Sequence, residues 1–379
     1  MMENTNKAAF INRQEELECV REYLSEEAKN ALFIYGPKSS GKTTMLYKLV
    51  EELQQGKATK NKFNIRYYNL RKILIINYRD FLQTFFKLKV EGKGRKKSEL
   101  EVNLKAFKIS KETLKDIESK SIDPFEVLEK EIKKLNAKGI KPVIIIDELQ
   151  ALEGIYMNGQ RELIKELFNF FVAMTKEAHL CHVIIGSSDG YFVERIYEES
   201  KLRKASKFLK VDYLNEEDTK YWLRNIEKES NITKYKLSEE QIEKMWLHFG
   251  GSCFEISAFL GDLLRHCKEG VVPTEDFEKE LQDKMIMSRS MYVNYVDEER
   301  QKDLFVRMNN LVKEKRVFIL DELYQKLKAE YKSAKELRKE LNELVSRNYL
   351  SYDPVTGEYE LQGRSMEIGL EMYVEKFIK

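Results

Sequence analysis

Short, almost unbroken apolar runs alternate with long stretches of helical periodicity over the first two-thirds of the chain. The runs are residues 31–35, Phe63 to Leu70, Val143 to Ile146, Val183 to Gly186 and Phe208 to Val211. Strands this uniformly apolar are buried on both faces, and the helical segments between them supply the cover. The pattern predicts an α/β core with a parallel five-stranded sheet whose connections are right-handed crossovers. Residues 212–290 keep only the helical period: Glu216 to Leu223, Ser238 to Phe249 and Phe254 to Cys267, with Asn215 and Asp218 placed to cap the first of these.

Between the first run and the helical pattern that follows it stands Gly36-Pro37-Lys38-Ser39-Ser40-Gly41-Lys42-Thr43-Thr44. The spacing is that of a phosphate-binding loop, and both flanks are of the required kind. Glycines let successive main-chain N–H groups converge, the helix start adds positive field, and the lysine reaches the outer phosphates. The third run ends in Asp147-Glu148. An acid at the carboxyl end of a central strand lies beside the loop. Asp147 is expected to share a Mg²⁺ shell with the Thr43 hydroxyl, and Glu148 to orient and deprotonate an attacking water. The fourth run ends in Gly186-Ser187-Ser188-Asp189-Gly190. With this strand between the first and third, Ser187 or Ser188 faces the γ-phosphate, or else caps the next helix.

Phe10-Ile11-Asn12-Arg13-Gln14-Glu15-Glu16-Leu17, the loop, the acid pair and the Gly186-Ser187-Ser188 strand tip follow one another in an order that resembles the archaeal-type P-loop ATPases, relatives of the AAA+ and STAND ATPases. The resemblance covers roughly residues 9–270. It implies ATP and Mg²⁺ as ligands, a helical lid over residues 212–290, and Phe10, Ile11 and Arg13 on the adenine side. It also implies an arginine finger, with Arg203 in the family's position and Arg195 as its competitor. Two departures stand out: the lid reads Gly250-Gly251-Ser252-Cys253-Phe254 without the usual proline, and no arginine opens the next helix. Arg224 and Arg265 are the nearest lid arginines.

The last third changes character. Helical patterns over Lys302 to Lys313, Asp321 to Tyr331 and from Ser333 onward precede Tyr349 to Tyr352, a Pro354-Val355-Thr356-Gly357 turn and Glu358 to Leu361. Three helices and a two-stranded ribbon make a winged helix-turn-helix over residues 291–379, following the core (1–211) and lid (212–290). Lys332, Lys335, Arg338 and Lys339 are its candidate DNA contacts. A basic loop, residues 87–97, with six Lys/Arg among eleven residues, is a second candidate.

Charge tempers the DNA reading. Residues 295–379 hold 16 Lys/Arg against 17 Asp/Glu, a net of −1, and the whole chain carries only +2. Protein docking or self-association of the winged helix therefore stands beside DNA binding. Of 379 residues 42% are hydrophobic, with no apolar stretch of membrane-spanning length and no leader pattern at the start. The four cysteines, Cys19, Cys181, Cys253 and Cys267, are scattered, as befits reduced thiols, so a cytoplasmic location is expected. His179-Leu180-Cys181-His182 lacks a second ligand pair and reads as packing.

Overall fold

The computed structural model describes residues 9–55, 62–88, 107–109, 113, 116, 117, 122–157, 159–199 and 205–377. The five apolar runs form β1 (Ala31–Tyr35), β2 (Phe63–Asn69), β3 (Lys141–Asp147), β4 (His182–Ser187) and β5 (Ser206–Lys210). All are parallel, in the order β2-β3-β4-β1-β5. The expected sheet is present, with the fourth run between the first and third. Register brings Asn69 opposite Asp147, Asp147 opposite Gly186, and Ser187 opposite Tyr35, so the strands' carboxyl ends meet along one edge.

Both sheet faces are covered, which is why β1 and β4 are buried at every residue. On one face α1 (Gln14–Ser25) and α2 (Lys42–Gln55) bury Leu17, Val20, Met45, Leu46 and Leu49 against Leu32, Ile34 and Ile184. The other face takes α3 (Tyr78–Phe85), α4 (Pro124–Asn136), α5 (Leu163–Val172) and α6 (Gly190–Glu199), with Phe33, Ile144 and Ile185 among the strand residues beneath them. Asp123 caps α4, accepting from Phe125 N–H at 2.8 Å, and proline at its first turn costs no hydrogen bond.

Helices α7 (Glu216–Arg224), α8 (Glu239–Phe249) and α9 (Cys253–Leu263) form the expected bundle around Trp222, Met245 and Phe259. Asn215 caps α7 through Asp218 N–H at 2.8 Å, as its spacing predicts. The boundary expected at 290/291 falls inside one long helix, α10 (Thr274–Tyr295). Its Phe277 and Leu281 belong to the bundle's core, whereas Tyr292 and Tyr295 belong to the C-terminal core. A shared helix, not a linker, joins the two units.

The C-terminal unit comprises α11 (Glu299–Lys315), β6 (Val317–Ile319), α12 (Leu320–Lys326), α13 (Ala334–Ser346), β7 (Leu350–Tyr352), β8 (Glu358–Leu361) and α14 (Arg364–Phe377). The segment 317–319 adds a third strand to the expected ribbon, giving an antiparallel sheet β6-β8-β7. The predicted helix from Asp321 to Tyr331 ends early, at Lys326. Helix α14, which the pattern did not single out, returns to lie along α10, and Tyr292 hydroxyl donates to Met366 O at 3.0 Å. Among the described residues no helix is long and apolar enough to cross a membrane.

Candidate functional site

The loop from Gly36 to Gly41 leaves the carboxyl end of β1 and enters α2. Gly36 sits at φ +145°, and a Cβ there would lie 2.2 Å from Val211 O, so neither its conformation nor its surroundings admit a side chain. Ser39 and Gly41 also have positive φ. Lys42 is buried and turned back into the loop, donating to Gly36 O at 3.0 Å and Pro37 O at 2.7 Å. Burial pushes its ammonium down to about 8, against the pull of Glu148 and Asp147. An ammonium desolvated this far lacks a full counter-charge, and an anion in the loop would supply one.

Asp147 is fully buried at the end of β3, and its two oxygens have different surroundings. Oδ2 accepts from Thr43 hydroxyl (2.7 Å), Tyr67 hydroxyl (3.1 Å) and Asn69 Nδ2 (3.3 Å). Among the described residues Oδ1 is buried without a partner. An unpaired buried polar atom costs about 1–3 kcal/mol, more when charged. Gly186 stands in front of it: a Cβ at that position would be 2.7 Å from Oδ1.

Glu148 follows in left-handed conformation, φ +63°, an arrangement that costs a non-glycine residue about 1–3 kcal/mol. Its own N–H donates to Gly186 O at 2.8 Å, which holds the turn. The carboxylate is buried and accepts from Arg71 at 2.7 Å, from Gln150 Nε2 and from Ser188 hydroxyl at 3.3 Å. Burial raises its pKa, the Arg71 guanidinium opposes that, and Asp147 adds to it. Lys42 and the Gln150 amide also oppose the rise, and a buried carboxylate whose proton affinity is lifted in this way is suited to accept a proton.

Of the two serines left open for the γ-phosphate or the turn, each takes a different place. Ser187 hydroxyl is buried, donates to Gln150 Oε1 (3.1 Å) and accepts from Asp189 N–H (3.1 Å), so it closes the turn. Ser188 is the one that touches Glu148, and it also accepts from Arg71 at 3.2 Å. Arg71, Gln150, Tyr67 and Asn69 escaped the sequence reading. The available signal was polar residues at alternate positions, 67 and 69 at the carboxyl end of β2 and 71 in the turn beyond it.

The residues before α1 act on the loop from behind. Arg13 is buried, with its guanidinium donating to Ser40 O (2.8 Å), Asp212 O (2.6 Å) and Glu16 (2.7 Å). Whatever its part on the adenine side, Arg13 thereby braces the loop, tying the main chain at Ser40 to that at Asp212. Ile11 is buried in the bundle's core with Leu214 and Trp222, and Phe10 packs against the α1–α2 layer. Where the lid proline was missing, Cys253 packs over the loop, its sulfur 3.8 Å from where a Gly41 Cβ would be. Arg203 and residues 89–97 of the basic loop lie outside the described residues. Arg195 pairs with Glu153, Arg224 with Glu239 and Arg265 with Glu280, so each is held by an acid. His179 bonds Ala28 O at 2.8 Å and His182 meets Tyr23 edge-on, which is packing.

The C-terminal sheet lies on the same edge. Gly190 opens α6, and a Cβ on it would lie 1.8 Å from Tyr352 O, so the two main chains touch. Tyr191 stacks on Tyr352 with centroids 4.3 Å apart and planes 7° from parallel. Glu194 accepts from Tyr352 hydroxyl at 2.7 Å and from Arg338. Arg338, expected as an exposed nucleic-acid contact, is therefore occupied in this arrangement, whereas Lys332, Lys335 and Lys339 are exposed. Lys210 bridges Asp212 (3.1 Å) and Asp353 (3.4 Å), and burial beside them lifts Glu360 to about 7. Lys38, at the loop's crest, is held from both sides. Its N–H donates to the Gln362 side-chain oxygen at 2.5 Å, and its C=O accepts from Tyr213 hydroxyl at 3.0 Å.

Comparison with known proteins bears out the resemblance. The model of an ATPase domain predominantly from Archaea matches residues 10–259. An uncharacterized ATP-binding protein of Methanocaldococcus jannaschii is 32% identical over 92% of this chain and 94% of its own length. A second from the same organism is 39% identical over 62% of each. Among solved structures, the Walker-type ATPase of Pyrococcus abyssi has a TM-score of 0.61 at 16% identity, covering 98% of this chain and 99% of its own. The Aeropyrum pernix ORC2 protein, in its ADPNP–ADP complexes, has a TM-score of 0.56 at 13% identity, covering 99% of this chain and 97% of its own. At these identities the structural likeness speaks for the fold.

Proposed function

Because this chain belongs to the family of ATPase domains found predominantly in Archaea, we propose that it is an ATP-hydrolysing switch whose nucleotide site is read by its own C-terminal unit. The observation that carries the reading is the placement of Asp147 and Glu148, one linked to Thr43 at the loop's end and the other held ready beside it. Gly36 to Thr44 would cradle the phosphates through main-chain N–H groups, with Lys42 turning outward onto them. Phe10 and Ile11 would border the base.

The residues present fit a divalent cation. Thr43 hydroxyl and the orphaned Asp147 Oδ1 are hard oxygen donors in a space kept open by Gly186. Among the described residues no cluster of three or more His, Cys, Asp or Glu stands ready to hold a metal. That suits Mg²⁺, which takes one or two protein oxygens and completes its shell from phosphate and water. Bound there, it would neutralise charge on the transferring phosphoryl group. Glu148 would take the proton of the attacking water, Ser188 would help hold that carboxylate, and Arg71 must loosen its grip for the water to approach. Phosphate release that requires Mg²⁺ and stops on Glu148→Gln is the test.

The docked C-terminal sheet favours a closed resting state as part of this reading. Asp353, Glu358 and Glu360, against the one ammonium of Lys210, line a small cavity with Gly36, Pro37 and Ser188, where an added γ-phosphate would face a surplus of acidic groups. ATP would thus bias the unit to leave, which requires different affinities for the open and closed forms. DNA association through a winged helix, the other reading of this unit, then belongs to the open form, because Arg338 must be freed from Glu194. Glu194→Lys places two cations together. It is expected to enlarge the hydrodynamic radius and to raise affinity for duplex DNA in a salt-dependent manner. An enlarged variant with no DNA binding would leave docking standing and remove the DNA reading.

A further inference from the structure

Alternation along β2 sends Tyr67 and Asn69 to the α2 side of the sheet, while Tyr68 is buried under α3 on the other. Tyr67 hydroxyl and Asn69 Nδ2 both end on Asp147 Oδ2, at 3.1 and 3.3 Å. Asn69 Oδ1 meanwhile accepts from Arg71 N–H at 3.1 Å, which orients the residue whose guanidinium holds Glu148. Two alternate strand residues and the arginine of the turn that follows thus reach both acids. The Tyr67 ring also lies 5.0 Å from that of Tyr47, so its packing and its hydroxyl are separable contributions.

Resting on the reading of Thr43 and Asp147 as the cation site, we infer that Tyr67 and Asn69 are positioning residues for that site. Three donors, Thr43 included, saturate Oδ2 and fix the carboxylate about its own axis. Oδ1 is left bare towards the space beside Gly186. Without the Tyr67 and Asn69 donors the carboxylate is free to rotate, and both oxygens compete for the Thr43 hydroxyl that the cation also needs. Partners of this kind set the orientation of a ligating carboxylate, and losing one weakens metal binding by about 10- to 100-fold.

Mn²⁺ provides a probe that does not depend on turnover. It is titrated into the full chain with ADP bound, and the free ion is read by electron paramagnetic resonance. Tyr67→Phe keeps the ring and removes the hydroxyl; it is expected to weaken Mn²⁺ binding about tenfold. Asn69→Ala should do the same, while both keep wild-type ADP affinity in EDTA. Tyr68→Phe, whose ring lies on the opposite face of the sheet, should bind Mn²⁺ as the wild type does. Should Tyr67→Phe lose its fold by circular dichroism, Asn69→Ala decides on the same readout. Wild-type Mn²⁺ affinity in Tyr67→Phe and Asn69→Ala overturns the positioning role. Absence of Mn²⁺ uptake by the wild type overturns the cation site beneath it.

Discussion

Glu148→Gln is expected to bind ATP as the wild type does and to lose phosphate release by about 10²- to 10⁴-fold, the range for removing a positioned general base. The substitution keeps the side chain's size, and the left-handed backbone at φ +63° is set by the N–H bond to Gly186 O, which it does not touch. Arg71 loses an ionic partner, but its half-exposed side chain is solvated, so little stability rides on the pair. Rapid-quench single-turnover kinetics separate the outcomes. A slowed single-turnover rate at unchanged nucleotide affinity supports Glu148 as the base. A rate within a few-fold of wild type removes it from the mechanism.

Lys42→Ala is expected to weaken ATP binding by about 10- to 100-fold, the worth of charge-assisted hydrogen bonds from one buried ammonium. The pH dependence identifies the cause. In the free protein burial holds Lys42 at about 8, and a bound polyphosphate would favour the charged form and raise it. Below that value the lysine is already protonated and wild-type affinity should be flat. Above it, binding must take up a proton, so affinity should fall by up to about tenfold per pH unit until the complex itself titrates. The folding sign is opposite. With the folded value depressed below 10.5, the unfolded chain binds more protons between the two, so this group adds stability as pH rises from about 8 towards 10.5. A fluorescent ATP analogue titrated from pH 7 to 9.5 reads the affinity. A slope that persists in Lys42→Ala would assign the proton elsewhere.

Where the candidate site rests on a contiguous stretch, its geometry was legible in the sequence. The β1–loop–α2 passage carries its chemistry within about twenty residues, and the apolar run before Asp147 leaves one place for that strand. What escaped is what sheet pairing brings together. Tyr67 and Asn69 lie 80 and 78 residues from Asp147 along the chain, and only the β2–β3 register makes them neighbours. Docking was hidden for a related reason. Gly190 reads as a turn glycine after Ser187-Ser188-Asp189, yet its missing side chain also admits Tyr352 from a different unit. Arg338 reads as exposed because it lies off the apolar stripe of its own helix, where Glu336 pairs with Arg300. Its partner, Glu194, stands on α6. The extra strand at 317–319 had only three residues to announce itself.

Calorimetric titration of ATP into the full chain, once with Mg²⁺ and once in EDTA, bears most directly on the site as a whole. The arrangement of Lys42, Thr43 and Asp147 predicts one nucleotide per chain, bound markedly tighter when the metal is present. Superimposable isotherms, or no heat in either, would contradict it.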